Sequence, residues 1–412
     1  MSVIVLFSGS FCHGDEVGRV LSEKTGYELL DDQTLIRDTA RRFNIDEGKV
    51  AKALMGKASI FNKFTHEKER CLAGLKVVLG DALQKDNLLF YGYSGLMVGG
   101  DIPHVLRVCL IADLKYRAAL GAKEESVLEK EAVRRLHKED ENRVLWVEYL
   151  FNCRDPWSPD LYDMVIPMDK IPVDGAVELV LFNLAKDVLK VTPASKQAVE
   201  DFRLAAQVDL KLAQAGHNVS VSAREGRVTL AINKQVLMLS SLEEELRRLV
   251  QPIPGVQGVE TKVGPGYYQT DIYRRFDFDV PLPSKVLLVD DEREFAQTLS
   301  ERLQMREMGS AVVYGGEEAL SVLEEEEPEV MVLDLKMPGV DGLEVLRRVK
   351  KEHPNVEVII LTGHGSDEVQ KECMEMGACA YLEKPVNIDK LTQSMQDAYR
   401  KIKERKAGQD KD

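Results

Sequence analysis

Five polar residues at the ends of short apolar runs carry the strongest chemical signal in this chain. Asp290 and Asp291 close the run KVLLV, Asp334 ends the run VMVL, Thr362 ends VEVIIL, and Lys384 follows ACAYLE. Three carboxylates brought to one place repel one another unless a cation sits among them. Hard oxygen ligands with room for water suit Mg²⁺. A hydroxyl and an ammonium opposite the metal would cradle three phosphoryl oxygens. Asp334, between Leu333 and Leu335, suits a carboxylate nucleophile that forms an acyl phosphate.

The elements that must position these residues are legible as an alternation from residue 285 onward. KVLLV, AVVY, VMVLDL, VEVIILT and ACAYLE read as strands. Between and after them, EFAQTLSERLQM, GGEEALSVLEE, GLEVLRRVKKE, SDEVQKECMEMG and IDKLTQSMQDAYRKI read as helices. Five such repeats predict a parallel sheet covered by helices on both faces. In these sheets the ligand site lies beyond the carboxyl ends of the strands, where the five polar residues fall. Singly, each has a duller explanation: a helix cap for Asp290, Asp291 or Thr362, and a solvated charge for Lys384. Together and in order they point to one site.

With VDDE, DLKMPGVDG, LTGHG and YLEKP in sequence, residues 284–405 resemble a response-regulator receiver domain. The resemblance implies a flavodoxin-like, five-stranded, doubly wound domain. It also implies that Asp334 is the phosphoacceptor and that Asp290 and Asp291 organise Mg²⁺ with Asp334 and the main-chain carbonyl of Lys336. Thr362 and Lys384 become the pair that senses the phosphoryl group, and Tyr381 the switch aromatic. It further implies a cis bond at Lys384-Pro385, a turn glycine at Gly342, and a cognate histidine kinase as phosphodonor. His364 reads as a loop histidine.

At the other end, VIVLF, a glycine-containing loop and a helical stretch carry the spacing Gly9-x-x-x-x-Gly14. A phosphate loop would follow with Lys and Ser or Thr, which contact the phosphates and Mg²⁺. Asp15 and Glu16 stand there instead and would repel a triphosphate, although main-chain N–H groups could still meet an anion at the helix start. The segments LSEKTGYELLDDQTLIR, LLFYGYSGLMV, HVLRVCLIADLKYR, EAVRRLHKEDENR and DLYDMVIPMDKIPVDGAVELV resemble the cytidylate kinase-like family of nucleoside monophosphate kinases. By that resemblance Asp31 and Arg37 would contact a monophosphate nucleotide, and Arg134, Arg135 and Arg143 would be phosphate-binding arginines of a lid-like helix. The residues alone also allow Asp31 as a helix cap and the three arginines as a solvated face with pairs such as Glu131–Arg135.

Between them, DFRLAAQVDLKLAQAG, a hairpin-like NVSVSAREGRVTLAINK, and LSSLEEELRRLVQPIPGVQGVETKV give an α-β-β-α-β order that resembles a BON domain, an interaction or dimer module. Proline and glycine positions set the expected boundaries: 1–192, 195–265, a linker over 266–283, and 284–405. The whole is an α/β multidomain chain.

Composition narrows the function classes. The 412 residues are 44% hydrophobic and 30% charged, with 55 Lys and Arg against 69 Asp and Glu, a formal net charge of -14. That charge argues against general affinity for nucleic acid. Six scattered cysteines show no C-x-x-C, and a reducing cytoplasm with no membrane span is expected. Two readings follow. In the first, a phosphorylatable receiver signals to a degenerate nucleotide-kinase-like sensor, with a nucleotide as its candidate ligand and a homodimer through the receiver or BON-like part. In the second, the chain is a nucleoside monophosphate kinase regulated by the receiver. Asp15 and Glu16 favour the first. A transcription factor is disfavoured by the charge and by the absence of a helix-turn-helix after residue 405.

Overall fold

Short runs of fully buried β-branched and leucine residues build the central strands of both large sheets of the protein. A computed structural model describes residues 2–55, 59–234, 236, 239–265, 267, 282–304, 306, 308–363 and 365–409. These fall into two compact units, Met1–Ala58 with Glu67–Arg275, and Ser59–His66 with Phe276–Asp412. The expected linker 266–283 lies outside the described residues apart from Tyr267, Leu282 and Pro283, and so does His364. Among the described residues no helix is long and apolar enough to cross a membrane.

The first unit begins with β1 (Val3–Ser8), α1 (Gly14–Thr25), β2 (Glu28–Asp31), α2 (Asp32–Phe43) and α3 (Glu47–Met55). The short α4 (Asn62–Thr65) counts with the second unit, where Phe61 just before it is fully buried among Leu287, Val289 and Leu333. The first unit resumes with α5 (Glu67–Ala82), β3 (Leu88–Tyr91), β4 (Val105–Ile111), α6 (Leu114–Glu125), α7 (Glu129–Phe151), β5 (Met164–Pro167) and α8 (Val173–Leu184). Its strands form a parallel sheet in the order β2-β3-β1-β4-β5. Every residue of β1 is buried, as a central parallel strand requires. One apolar cluster around Phe7, Leu75 and Phe90 covers one face, and another around Leu6, Val108 and Val177 covers the other.

The apolar helix α8 ends at Leu184. Thr192 then caps a new helix, α9 (Pro193–Gln214), in a capping box with Ser195, and Pro193 takes the first turn, where its missing N–H costs nothing. After it come β6 (Ser220–Arg224), β7 (Arg227–Ile232), α10 (Leu239–Val250) and β8 (Gly258–Val263). β6 and β7 pair antiparallel and β7 and β8 parallel, over a small core of Leu204, Val208, Val228, Leu230 and Leu246.

The second unit contains β9 (Val286–Val289), α11 (Arg293–Gln304), β10 (Ser310–Val313), α12 (Gly316–Glu325), β11 (Val330–Leu333), α13 (Gly342–Glu352), β12 (Glu357–Thr362), α14 (Asp367–Glu375), β13 (Ala380–Glu383) and α15 (Ile388–Gln409). The all-parallel order β10-β9-β11-β12-β13 is the doubly wound arrangement with a switch point between β9 and β11. Its two faces carry separate apolar clusters. Gly342 is required where α13 starts, because a Cβ there would lie 2.1 Å from the main-chain oxygen of Asp334.

Candidate functional site

Register brings the acids of the second unit together. Val289 pairs with Leu333 across β9 and β11, so Asp290 and Asp334 leave the sheet side by side. The Asp290 N–H donates to the Val313 carbonyl at 3.1 Å and the Asp334 N–H to the Val289 carbonyl at 2.9 Å. Each is only 5% exposed. The Glu292 N–H donates to Asp290 Oδ1 at 2.9 Å, which turns the loop back over the site. One oxygen each from Asp290, Glu292 and Asp334 then lies within 4.8 Å of the others.

Lys384 stands among them. Thr362 pairs with Glu383, and the Lys384 N–H donates to the Thr362 carbonyl at 2.9 Å. The Lys384-Pro385 bond is cis. Lys384 Nζ lies 2.7 Å from Asp290 Oδ2, 2.9 Å from Glu292 Oε1 and 3.0 Å from Asp334 Oδ2. It also lies 4.5 Å from the ring centroid of Phe295, a cation–π contact. Burial opposes the charge on this ammonium. The hydrogen bonds it donates to Asp290, Glu292 and Asp334 outweigh that and hold it above the ordinary lysine value.

The donor set is hard oxygen, which fits a small divalent cation. Asp334 Oδ1 accepts the N–H groups of Leu335 at 2.7 Å and Lys336 at 3.4 Å, while Oδ2 faces Lys384. Lys336 is exposed in the loop after Asp334, and Asp291 is half-buried outside the three-carboxylate group. Thr362 is fully buried at the end of β12. Tyr381 on β13 packs its ring against the core around Cys373 and Ile360. Its hydroxyl is buried with no hydrogen-bond partner among the described residues. A Cβ on Gly365 would fall 1.8 Å from that hydroxyl, so glycine is what admits the ring.

A second charged cluster lies at the loop between β1 and α1. Gly9 is buried and its N–H donates to the Leu110 carbonyl at 2.8 Å. Phe11 and His13 are left-handed, and a Cβ on Gly14 would come within 2.7 Å of the Ser8 side chain and the Tyr91 hydroxyl. Arg117 on α6, 3% exposed, donates Nε to the Ser10 carbonyl at 2.9 Å and grips Asp140 with both terminal nitrogens at 2.8 Å. Arg143 on α7, 8% exposed, donates to the Ser8 carbonyl at 3.1 Å and the Ser10 hydroxyl at 2.8 Å, with Asp140 at 3.5 Å. The Ser10 hydroxyl donates to Glu139. Trp157 lies under Arg117 and Tyr93 under Arg143, each at 5.7 Å. Tyr91 hydrogen-bonds Asp15; burial first, and that carboxylate second, push its phenol well up.

The other nucleotide-contact candidates do not reach this loop. Asp31 caps α2 by accepting the Thr34 N–H at 2.8 Å. Arg37 and Arg134 are exposed, and Arg135 pairs at the surface with Glu125 and Glu131, both at 2.7 Å. Of the three lid-like arginines, Arg143 alone meets the glycine loop.

Comparison with known proteins agrees with both ends of the chain. The model of the response regulator receiver domain matches residues 286–396, and that of the cytidylate kinase-like family matches residues 3–170. Sporulation initiation phosphotransferase F of Bacillus subtilis is 35% identical over 107 residues, covering 26% of this chain and 86% of that protein. The chain belongs to the response regulator receiver family. The receiver implies a phosphodonor such as a histidine kinase. The transcriptional regulatory protein YesN of the same organism is 33% identical over 122 residues, 29% of this chain and 33% of that protein. The chain thus spans about a third of that relative's length. The receiver domain of a Francisella response regulator is 33% identical and covers 29% of this chain and 98% of its own, with a TM-score of 0.28.

Four participants escaped the sequence reading. In the receiver, Glu292 enters the acid cluster through a loop turn. In the first unit, Arg117 and Glu139 meet the glycine loop from more than 100 residues away, and Asp140 holds Arg117 there. A usable signal for Arg117 was its place in LKYRAALGA, on the apolar face with Ala118 and Gly121.

Proposed function

We propose that the chain is a two-component phosphorelay protein. Its receiver accepts a phosphoryl group on Asp334 and relays the change to a degenerate nucleotide-kinase-like module of the first unit. The observation that carries the reading is the three-way hold of Lys384 on Asp290, Glu292 and Asp334 at the strand ends. A carboxylate oxygen of Asp334 attacks the phosphorus of a histidine-kinase phosphoimidazole or a small acyl phosphate. The new P–O bond forms as the bond to the leaving group breaks. Asp290, Asp291, Asp334 and the Lys336 carbonyl would hold Mg²⁺, which when bound offsets phosphoryl charge. Lys384 exchanges a carboxylate contact for a phosphoryl oxygen, and Thr362 turns to another. Space vacated by Thr362 is taken by Tyr381, whose hydroxyl lacks a partner among the described residues in the starting state.

The segment α9-β6-β7-α10-β8 serves as a BON-like interaction module, with the boundaries 1–192, 195–265 and 284–405 for the three domains. A homodimer through that module or the receiver fits the role. The test is direct. Labelled acetyl phosphate with Mg²⁺ adds one hydroxylamine-sensitive phosphoryl group per chain, and Asp334→Asn adds none. Label that persists in that variant refutes the site. With ATP and CMP the chain forms no ADP above background; steady turnover lost in Arg37→Ala would replace this reading with an enzyme.

A further inference from the structure

The short stretch Ser59–His66 packs with the receiver, although the chain on both sides of it belongs to the first unit. It makes a single turn of helix. Asn62 donates its N–H to the Ser59 carbonyl at 2.9 Å and Phe64 to the Phe61 carbonyl at 2.8 Å, and the left-handed His66 closes the turn on the Asn62 carbonyl at 3.0 Å. So short a helix has no stability of its own, and side-chain packing must hold it. Phe61 is fully buried in the apolar cluster that contains Leu287, Val289 and Leu333. Gly309, just before β10, makes way for Phe64, since a Cβ there would run into that ring. Gly309 lies at the amino end of β10, opposite the strand ends that carry Asp290 and Asp334, so the seat of Phe64 is separate from the phosphoryl site. Ile60, by contrast, is 42% exposed.

Two further observations give this stretch a part in signalling. Tyr381, the switch aromatic, packs against the same cluster as Phe61. His66 is the single residue between α4 and α5, so no slack chain separates Phe61 and Phe64 from the first turn of α5. That turn is in turn held to α3 by Lys49 and Glu67 at 2.5 Å. We propose that Ser59–His66 is an intramolecular strap, seated on the resting receiver by Phe61 and Phe64 and loosened when Asp334 is phosphorylated, and that its loosening passes the signal into α5. The inference rests on the phosphorelay reading above and names the route of the relay. The direction follows from packing. A ring that moves within a close-packed cluster must displace something. The receiver's other helices each follow one of its strands, whereas α4 is one isolated turn. The least anchored element opens first.

The test is hydrogen exchange of the full chain, read by mass spectrometry with and without acetyl phosphate and Mg²⁺. Phosphorylation should speed exchange of the amides of Phe64, Thr65 and His66 roughly tenfold and carry a smaller rise into the first turns of α5. In Phe61→Ala the same amides exchange fast from the start, and α5 no longer responds although Asp334 still takes label. Gly309→Ala pushes against Phe64 from the receiver side and should do the same; it serves if Phe61→Ala does not fold. Ile60→Ala, at an exposed position, changes none of this. Labelled Asp334 with unchanged or slower exchange over 62–66 overturns the strap. So does an α5 response that persists in folded Phe61→Ala or Gly309→Ala. A wild type whose Asp334 takes no label overturns the phosphorelay reading and the strap with it, so failure of the strap alone is separable.

Discussion

The two charged clusters sit in the same place on two parallel sheets, beyond the carboxyl ends of the central strands, yet they are composed in opposite ways. In the receiver the acids stand just past the strand ends. Asp290, Glu292 and Asp334 face one ammonium, Lys384, and two negative charges stay uncompensated. At the glycine loop the paired charges all come from helices. Arg117 and Arg143 face Glu139 and Asp140, and the four charges cancel. A site with residual charge has a standing reason to take a divalent cation, and after it a phosphoryl group. A site neutralised from within has none. On the reading proposed above, one architecture holds a responsive centre and a silent one, and the charge balance at the strand ends is what separates them.

That contrast can be broken by experiment. The largest effect is expected from Lys384→Met. It removes the one cation bonded to the three acids among the described residues and costs about 3 kcal/mol of receiver stability in chelator, the low end for opening a buried pair because Glu292 is largely in water. Mg²⁺ should restore most of the loss in a thermal melt, whereas Mg²⁺ does nothing for Asp140→Asn. If the same ion restores both or neither, the charge-balance contrast fails. Next in size is Gly342→Ala. Its Cβ meets main-chain atoms of Asp334 and Leu335, which cannot swing aside, and a loss of about 2 kcal/mol is expected with slower labelling of Asp334. Gly14→Ala meets side-chain atoms of Ser8 and Tyr91 instead and should cost less; the reverse order of midpoints would contradict this. The smallest effect belongs to Arg135→Ala. Its pairs with Glu125 and Glu131 are at the surface, so the midpoint should not move, in contrast to Arg143→Ala.

The receiver was legible in sequence because its acids, hydroxyl and lysine each follow a short buried strand, and strand order fixes where the ends meet. Glu292 was not, since a side chain in a two-residue turn takes its direction from a hydrogen bond, not from periodicity. The glycine loop was legible as a loop, and the departure at Asp15 and Glu16 was visible. Its charged neighbours were not, because Arg117 is brought to both Ser10 and Asp140 only by the fold, which packs α6 against α7. Asp32 makes the same point. Buried under the Gly92 turn, it accepts the N–H groups of Tyr93 at 2.8 Å and Ser94 at 2.9 Å. A Cβ on Gly92 would lie 2.3 Å from its carboxylate. In sequence it was merely the second of two aspartates.

The helix α9 has a mechanical consequence. Val199 near its start belongs to the core of the large sheet, and Leu204, Val208 and Leu212 belong to the core of the small one. Gly80 of α5 lets the two helices touch at Arg203, with Asp81 bridging Arg42 and Arg203 and Lys76 paired to Asp209. Its 22 residues form one unbroken strut about 33 Å long. Force applied to the three-stranded sheet would travel down that strut into α5 instead of being absorbed at a hinge. A partner that grips the small sheet would therefore pull on the large one.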